Sequence, residues 1–251
     1  MWLNTDRVLY VGLLGTPSLR TFGSYTVYVS VNIPHRIAFE ADHWQMGHLS
    51  IVPPGVPHRI ASSEKMIVTL LIESETVSAA GLPACLRQRG IPTDELRLLA
   101  GMHAELEAIR GGGRKAYARS AEFDIAFFGA ALPPRTLDPR IASVLTRMKN
   151  GCHQLHSAQE CANSVCVSVS RFLHLFKEDV GIPFRNFRAW KRARSLLTYV
   201  KQDGNLTNIA LDAGYPDSTH FSHSIRSVYG LTPRSIFAGC RQLQLHSAVA
   251  G

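Results

Sequence analysis

Ser168-Val-Ser-Arg-Phe-Leu-His-Leu-Phe-Lys177 is the stretch on which the reading of this chain turns. Ser168 suits a helix start, because its hydroxyl accepts from a backbone N–H that has no partner inside the helix. Phe172, Leu175 and Phe176 recur at spacings of three and four and make one apolar stripe. Ser170, Arg171, His174 and Lys177 fall off that stripe, and none is acidic. A short helix with an aromatic inner face and a cationic, hydrogen-bonding outer face suits the major groove of DNA.

The pattern recurs 49 residues later. Phe172 falls over Phe221, His174 over His223, Phe176 over Ile225, Gly181 over Gly230 and Ile182 over Leu231. Upstream, Cys161-Ala162 matches Ile209-Ala210 if the second copy carries one extra residue. Each copy reads as a small helix, a turn, a polar-faced helix and a terminating glycine. That is a helix-turn-helix, present twice. Phe184 to Lys201 joins the copies as a long helix with Phe184, Phe187, Trp190, Leu197 and Val200 inward and Lys191, Arg192 and Arg194 on the outer side. Its 18 residues span about 27 Å, close to the ~34 Å between successive major grooves.

Residues Ser168 to Phe184, and Ala210 to Pro233 with its closing Gly-Leu-Thr-Pro, resemble the DNA-binding domain of AraC/XylS-type transcriptional regulators. The resemblance covers residues 138–237. It implies a fold with two DNA-reading helices and double-stranded DNA as partner, with RNA polymerase as a second partner if the protein activates. The departures are Cys166 where the first turn has glycine, Leu173 at an outward position that is polar in the family, Ile225 for phenylalanine, and Ala189 for arginine. On this reading Ser170, Arg171, His174, Thr219, Ser222 and His223 face bases, and Lys177, Lys191, Arg192 and Arg226 contact phosphates. Phe172, Phe176, Trp190, Gly214 and Phe221 serve the fold.

Charge agrees with that division. Residues 138–251 hold 14 Lys and Arg against 7 Asp and Glu, net +7; residues 1–137 hold 13 against 12, net +1. A basic excess beside the repeated helices is what phosphate binding requires. The apolar fraction, 45 %, is that of a folded globular protein, and 251 residues leave room for two domains.

The first half reads differently. Residues 7–14, 24–31, 36–41 and 66–72 are short, rich in Val, Ile and Tyr, and punctuated by Gly, Pro and Ser, as β-strands joined by turns are. Gly47-x5-Pro53-x-Gly55-x2-His58 resembles the second motif of the cupin fold. Its turn aims His58 into a barrel. In cupins such a histidine often binds metal, but the first motif with its His-x-His pair is missing. Glu40, His43 and His48 do not supply the three or four convergent donors a metal needs. A metal-free effector pocket contacted by His35 and His58 is the expectation, with a purely dimerising β-domain as the alternative. No cofactor is called for.

Residues 81–137 change character. Leu96, Leu99, Met102, Leu106 and Ile109 give a helical stripe, Gly111 to Gly113 end it, and Lys115 to Ala131 reads as a second helix. These helices either form a dimer interface or pack on their own β-domain. Pro133-Pro134 lies in the linker, because consecutive prolines cannot continue a helix. Cys152, His153, His156, Cys161 and Cys166 lack the tight pair of a zinc site, and the repeat puts Cys161 in the core.

The expected architecture is α+β: an N-terminal cupin-like β-sandwich or barrel at residues 1–80, a helical segment and linker at 81–137, an all-α domain with two helix-turn-helix motifs at 138–239, and a tail at 240–251. The expected function is a cytoplasmic, sequence-specific DNA-binding regulator, ligand-responsive and possible as a homodimer, with no leader or membrane segment. The rival is a cupin metalloenzyme with a helical appendage, which lacks ligands and a nucleophile–base pair.

Overall fold

A computed structural model describes the chain except residues 42, 65, 112–116, 151–156, 200–205, 213, 240–245 and 248–251. Cys152, His153 and His156 therefore lie outside the described residues, as do Val200 and Lys201. The chain forms two units, Met1–Arg135 with Arg241–Gly251, and Thr136–Cys240.

The first unit is built from β1 (Trp2–Leu3), β2 (Arg7–Leu13), β3 (Ser24–Val29), β4 (His35–Ala38), β5 (Trp44–Gly47), β6 (Leu49–Val52), β7 (Arg59–Ala61) and β8 (Met66–Glu73), then the short α1 (Ala84–Arg87) and the longer α2 (Glu95–Arg110) and α3 (Ser120–Phe128). One sheet runs β6-β3-β8-β2-β1-β9, the last strand being His246–Ser247; the other runs β5-β4-β7. All pairs are antiparallel save β1 with β9.

Successive side chains in a strand point to opposite faces, so the larger sheet has two characters. One face carries Leu9, Tyr25, Val27, Val29, Leu49, Ile51, Val68, Leu70 and Ile72, and packs on Leu99 and Met102 of α2 and Phe123 and Phe127 of α3. The helices after residue 80 thus cover their own sheet. Leu96, expected inward, is 82 % exposed. Its neighbour Glu95 instead accepts from the backbone N–H of His48 and of Leu49, the latter at 2.8 Å. A Cβ on Gly47 would lie 2.8 Å from that carboxylate and from Ile91 Cδ1, so a side chain there would displace both. The helix expected from Lys115 begins only at Ser120. Tyr117 is held before it, edge-on to Trp2 and Phe123, with its hydroxyl donating to Glu105 at 2.7 Å.

The other face of the sheet bears Ser24, Thr26, Tyr28, Ser30, Ser50 and Thr69, all buried. It faces the smaller sheet, because His35 of β4 bonds to both Ser30 and Ser50. The expected α+β order, a β-unit followed by helices, is what the chain adopts, with the β-unit built of two sheets.

The second unit is all helical: α4 (Pro139–Asn150), α5 (Ala158–Ser164), α6 (Val169–Val180), α7 (Phe184–Tyr199), α8 (Leu206–Asp212), α9 (Ser218–Tyr229) and α10 (Pro233–Gly239). Ile141, Val144 and Leu145 of α4 join Cys161, Phe172, Phe176, Val180, Phe184 and Phe187 in one core. Cys161 is buried there as a small apolar residue.

Candidate nucleic-acid interface

The two helix-turn-helix motifs share one local construction. In the first, Ser157 and Glu160 form a reciprocal capping box on α5. The turn closes with Val167 N–H donating to Ala162 O at 3.1 Å. In the second, Tyr215 N–H donates to Ala210 O at 2.9 Å. The residue before each of these donors is left-handed: Cys166 at φ 54° and Gly214 at φ 75°. Glycine takes that conformation freely, whereas an L side chain is strained in it. Cys166 therefore occupies a glycine position, as the sequence comparison of the copies requires. These turn residues are 48 apart, but the caps of α6 and α9, Ser168 and Asp217, are 49 apart. The extra residue is Pro216, between turn and cap.

Both polar-faced helices then start and stop alike. Ser168 accepts from Arg171 N–H, and Asp217 from Thr219 and His220 N–H. Gly181 and Gly230 end the helices left-handed, donating to Lys177 O and Arg226 O at 2.9 Å each. Phe172 and Phe176 are fully buried and meet Phe184 edge-on at 5.0 and 4.9 Å. Phe221 packs edge-on against Tyr215 at 5.2 Å.

Of the base-facing candidates, Ser170, Arg171, His174, Thr219 and His223 are exposed, and Ser222 is half-buried. His174 Nε2 lies 3.1 Å from Glu178 one turn on, an acid that directly follows Lys177. His220 was not anticipated: it is exposed and its Nδ1 lies 2.7 Å from Asp217. Among the phosphate candidates, Lys177 and Arg226 are exposed. Lys191 and Arg192, expected outward, are half-buried and lie over the rings of Phe187 and Tyr215 at 5.1 and 5.2 Å. Tyr229 hydroxyl donates to Ala193 O at 3.1 Å. The connecting helix α7 is thereby fixed to the first motif through Phe187, 5.2 Å from Phe176, and to the second through Ala193 and Arg192.

The effector candidates His35 and His58 both lie beside Tyr28 inside the β-unit, with ring centroids 6.4 and 5.6 Å from it. His58 Nε2 is 2.9 Å from Tyr28 hydroxyl, and its Nδ1 is 3.0 Å from Val56 O. A carbonyl only accepts, so Nδ1 carries the proton and Nε2 accepts from the tyrosine. Gly55 at φ 75° makes the turn that delivers His58. The sequence missed Tyr28, which reads as an ordinary strand residue, and Arg20, which lies in an irregular segment bridged to His58. No group of three metal-ligating side chains occurs among the described residues.

Burial pushes the imidazoles of His35 and His58 down to about 4. Unfolded, each titrates near 6.5. The unfolded chain therefore binds more protons below that value, and stability present above pH 6.5 is lost as pH falls towards 4. At pH 4 the loss amounts to about 3 kcal/mol per histidine. Urea melts across this range should show the decline, and replacing both histidines with glutamine should flatten it. Equal slopes for the two proteins would contradict the neutral, buried state.

Residues 161–238 match the family described as "Helix-turn-helix domain". The chain is 30 % identical to the Arabinose operon regulatory protein of Escherichia coli (strain K12) over 84 residues, which is 32 % of this chain and 28 % of that protein. It is 29 % identical to Invasion protein InvF of Salmonella typhi over 80 residues, 26 % of this chain and 37 % of that protein. The chain thus spans about a third of the length of these curated relatives. In fold it is similar to ToxT from Vibrio cholerae O395, with a TM-score of 0.62, 10 % identity, and 96 % of this chain and 100 % of that one covered. ToxT has also been solved with an unsaturated fatty acid bound; that structure gives a TM-score of 0.58 at 11 % identity, covering 94 % and 96 %. No described helix is long and apolar enough to cross a membrane. The chain carries, in residues 161–238, the helix-turn-helix domain of AraC/XylS-type regulators.

Proposed function

We propose that this protein is a sequence-specific, double-stranded-DNA-binding transcription regulator whose β-unit responds to a small molecule. The observation that carries the reading is the duplicated motif, with one turn geometry and one capping scheme used twice and exposed polar helix faces each time. Ser170, Arg171, His174, Thr219, Ser222 and His223 are the proposed base contacts. Leu173, exposed beside them, offers the aliphatic surface that a thymine methyl group rewards. Lys177, Lys191, Arg192 and Arg226 are the proposed phosphate contacts, which set register without reading sequence. His35 and His58 line the proposed effector site. The relatives are regulators, which supports a non-enzymatic role, and ToxT with its bound fatty acid supports ligand responsiveness. RNA polymerase is the further partner if transcription rises, and a homodimer would strengthen binding by adding a second DNA contact.

Selection of bound sequences from a random DNA pool tests the reading: one enriched site is expected, and no enrichment over input would overturn it. Binding should weaken steeply with salt, because each neutralised phosphate releases counterions. Replacing Lys191 and Arg192 together with alanine should flatten the slope of log K against log salt by up to about two units. An unchanged slope would remove both from the interface.

A further inference from the structure

Two arginines are buried in the β-unit, and their surroundings are opposite. Arg7 is fully served: Nε and Nη2 donate to the two oxygens of Asp124 at 2.7 and 2.8 Å, and Nη1 donates to Asp6 O and Thr76 Oγ1. Arg20 is 4 % exposed and has no carboxylate partner among the described residues. Its Nη2 donates to Thr16 O at 2.8 Å, its guanidinium also reaches Tyr28, and its Nε–H has no partner. A guanidinium cannot shed its proton in a protein, and an uncompensated buried charge is costly.

The neighbours do not supply the missing charge. Burial holds the phenol of Tyr28 well above its ordinary value, so it is not a phenolate. His58 is neutral and its two nitrogens are occupied by Tyr28 and Val56. The polar chain therefore runs from Arg20 through Tyr28 and His58 to Val56 O and carries one net positive charge.

The surface beside this charge is polar as well. On β3, Thr26 and Ser24 follow Tyr28 on the same face, fully buried, and neither hydroxyl has a partner. Alternate residues of a strand lie about 7 Å apart. A buried polar atom left unpaired costs about 1–3 kcal/mol, which makes unserved groups rare in native proteins. Here the two hydroxyls share one face of β3 with Tyr28, and the guanidinium with the unpaired N–H reaches that tyrosine. Glu73 also faces this interior, but opposite Ser24, and Tyr28 lies four residues away at about 13 Å.

We infer that the interior of the β-unit binds a small hydroxylated carboxylic acid, of about the size of a sugar acid, with its carboxylate on Arg20 and Tyr28 and a hydroxyl on Thr26. This rests on the reading of the β-unit as effector-responsive and names the class of effector. The interior hydroxyls argue against a long acyl chain, which would leave them unpaired. A neutral sugar would leave Arg20 without its counter-charge.

The test uses the full chain and thermal melts with sodium galacturonate, sodium gluconate, galactose, sodium palmitoleate and a sodium chloride control. At about ten times its dissociation constant, a bound hydroxy acid should raise Tm by about 3 °C. Galactose, palmitoleate and chloride should leave it unchanged. Arg20→Met should abolish the shift, and Arg20→Lys should keep part of it. Without any ligand, Arg20→Met should melt no lower than the parent, because an apolar side chain of similar length removes an unpaired buried charge. A lower Tm for that variant would mean the guanidinium is already compensated, and the inference would fail. It would fail equally if neither hydroxy acid shifts Tm, or if palmitoleate or galactose shifts it instead. DNA binding is measured on the same samples: retained binding with no acid response sinks only this inference, whereas absent binding sinks the regulator reading.

Discussion

Asp124→Ala is expected to destabilise the β-unit by about 3–5 kcal/mol, the largest effect of any single polar substitution in it. Asp124 and Arg7 are each 3 % exposed and bonded side-on through both oxygens. Asp124 also accepts from Leu132 N–H at 3.3 Å, so the pair ties β2, α3 and the segment after α3 together. Removing the carboxylate leaves the guanidinium buried without a counter-charge. The double replacement Arg7→Met with Asp124→Leu removes both charges and should recover most of the loss. Urea melts of the three variants decide it. A loss below about 1 kcal/mol for Asp124→Ala would show that Thr76 and Asp6 O suffice to hold the arginine.

Phe176→Ala is expected to cost about 3–5 kcal/mol in the helical unit. The ring is fully buried and touches Phe172, Phe184 and Phe187, so its removal opens a cavity where α6 meets α7. Because α6 carries the first set of proposed base contacts, DNA affinity should fall with stability. His174→Ala is the control. It is exposed, so stability should change by no more than about 0.5 kcal/mol while base preference relaxes in one half-site. If Phe176→Ala melted like the parent, the aromatic cluster would not be what holds the first motif.

The two motifs were legible because their signals are local. An apolar stripe, a cap and a terminating glycine lie within about 15 residues, and their recurrence at one offset made each copy evidence for the other. Even the left-handed turn at Cys166 was implied, since Gly214 stands at the matching place. His58 was legible for the same reason: Gly55 and its flanking prolines shape the turn that delivers it. The polar interior around Arg20 and Tyr28 was not. Tyr28 alternates correctly in its strand and nothing nearby distinguishes it. The charge on Arg20 becomes unusual only when the chain folds it beside His58, 38 positions away. The early start assigned to α3 failed because Tyr117 packs on Trp2, a contact across more than 100 residues. Leu96 matched the helical stripe of α2, yet Glu95 beside it engages the backbone of β6 and Leu96 is left outside.

The central claim is that both motifs read one duplex. The most direct measurement is the affinity of the full chain for its selected site with about 5 bp inserted between the half-sites. Such an insertion turns one major groove to the far side of the helix. The connecting helix α7 cannot follow, because Phe187 anchors it to the first motif while Ala193 and Arg192 anchor it to the second. Affinity should therefore fall towards the non-specific level and return in part when about 10 bp are inserted only if a second copy of the chain bridges the halves. Full affinity on the 5 bp site would mean that one motif alone reads DNA, and the two-groove account would be wrong.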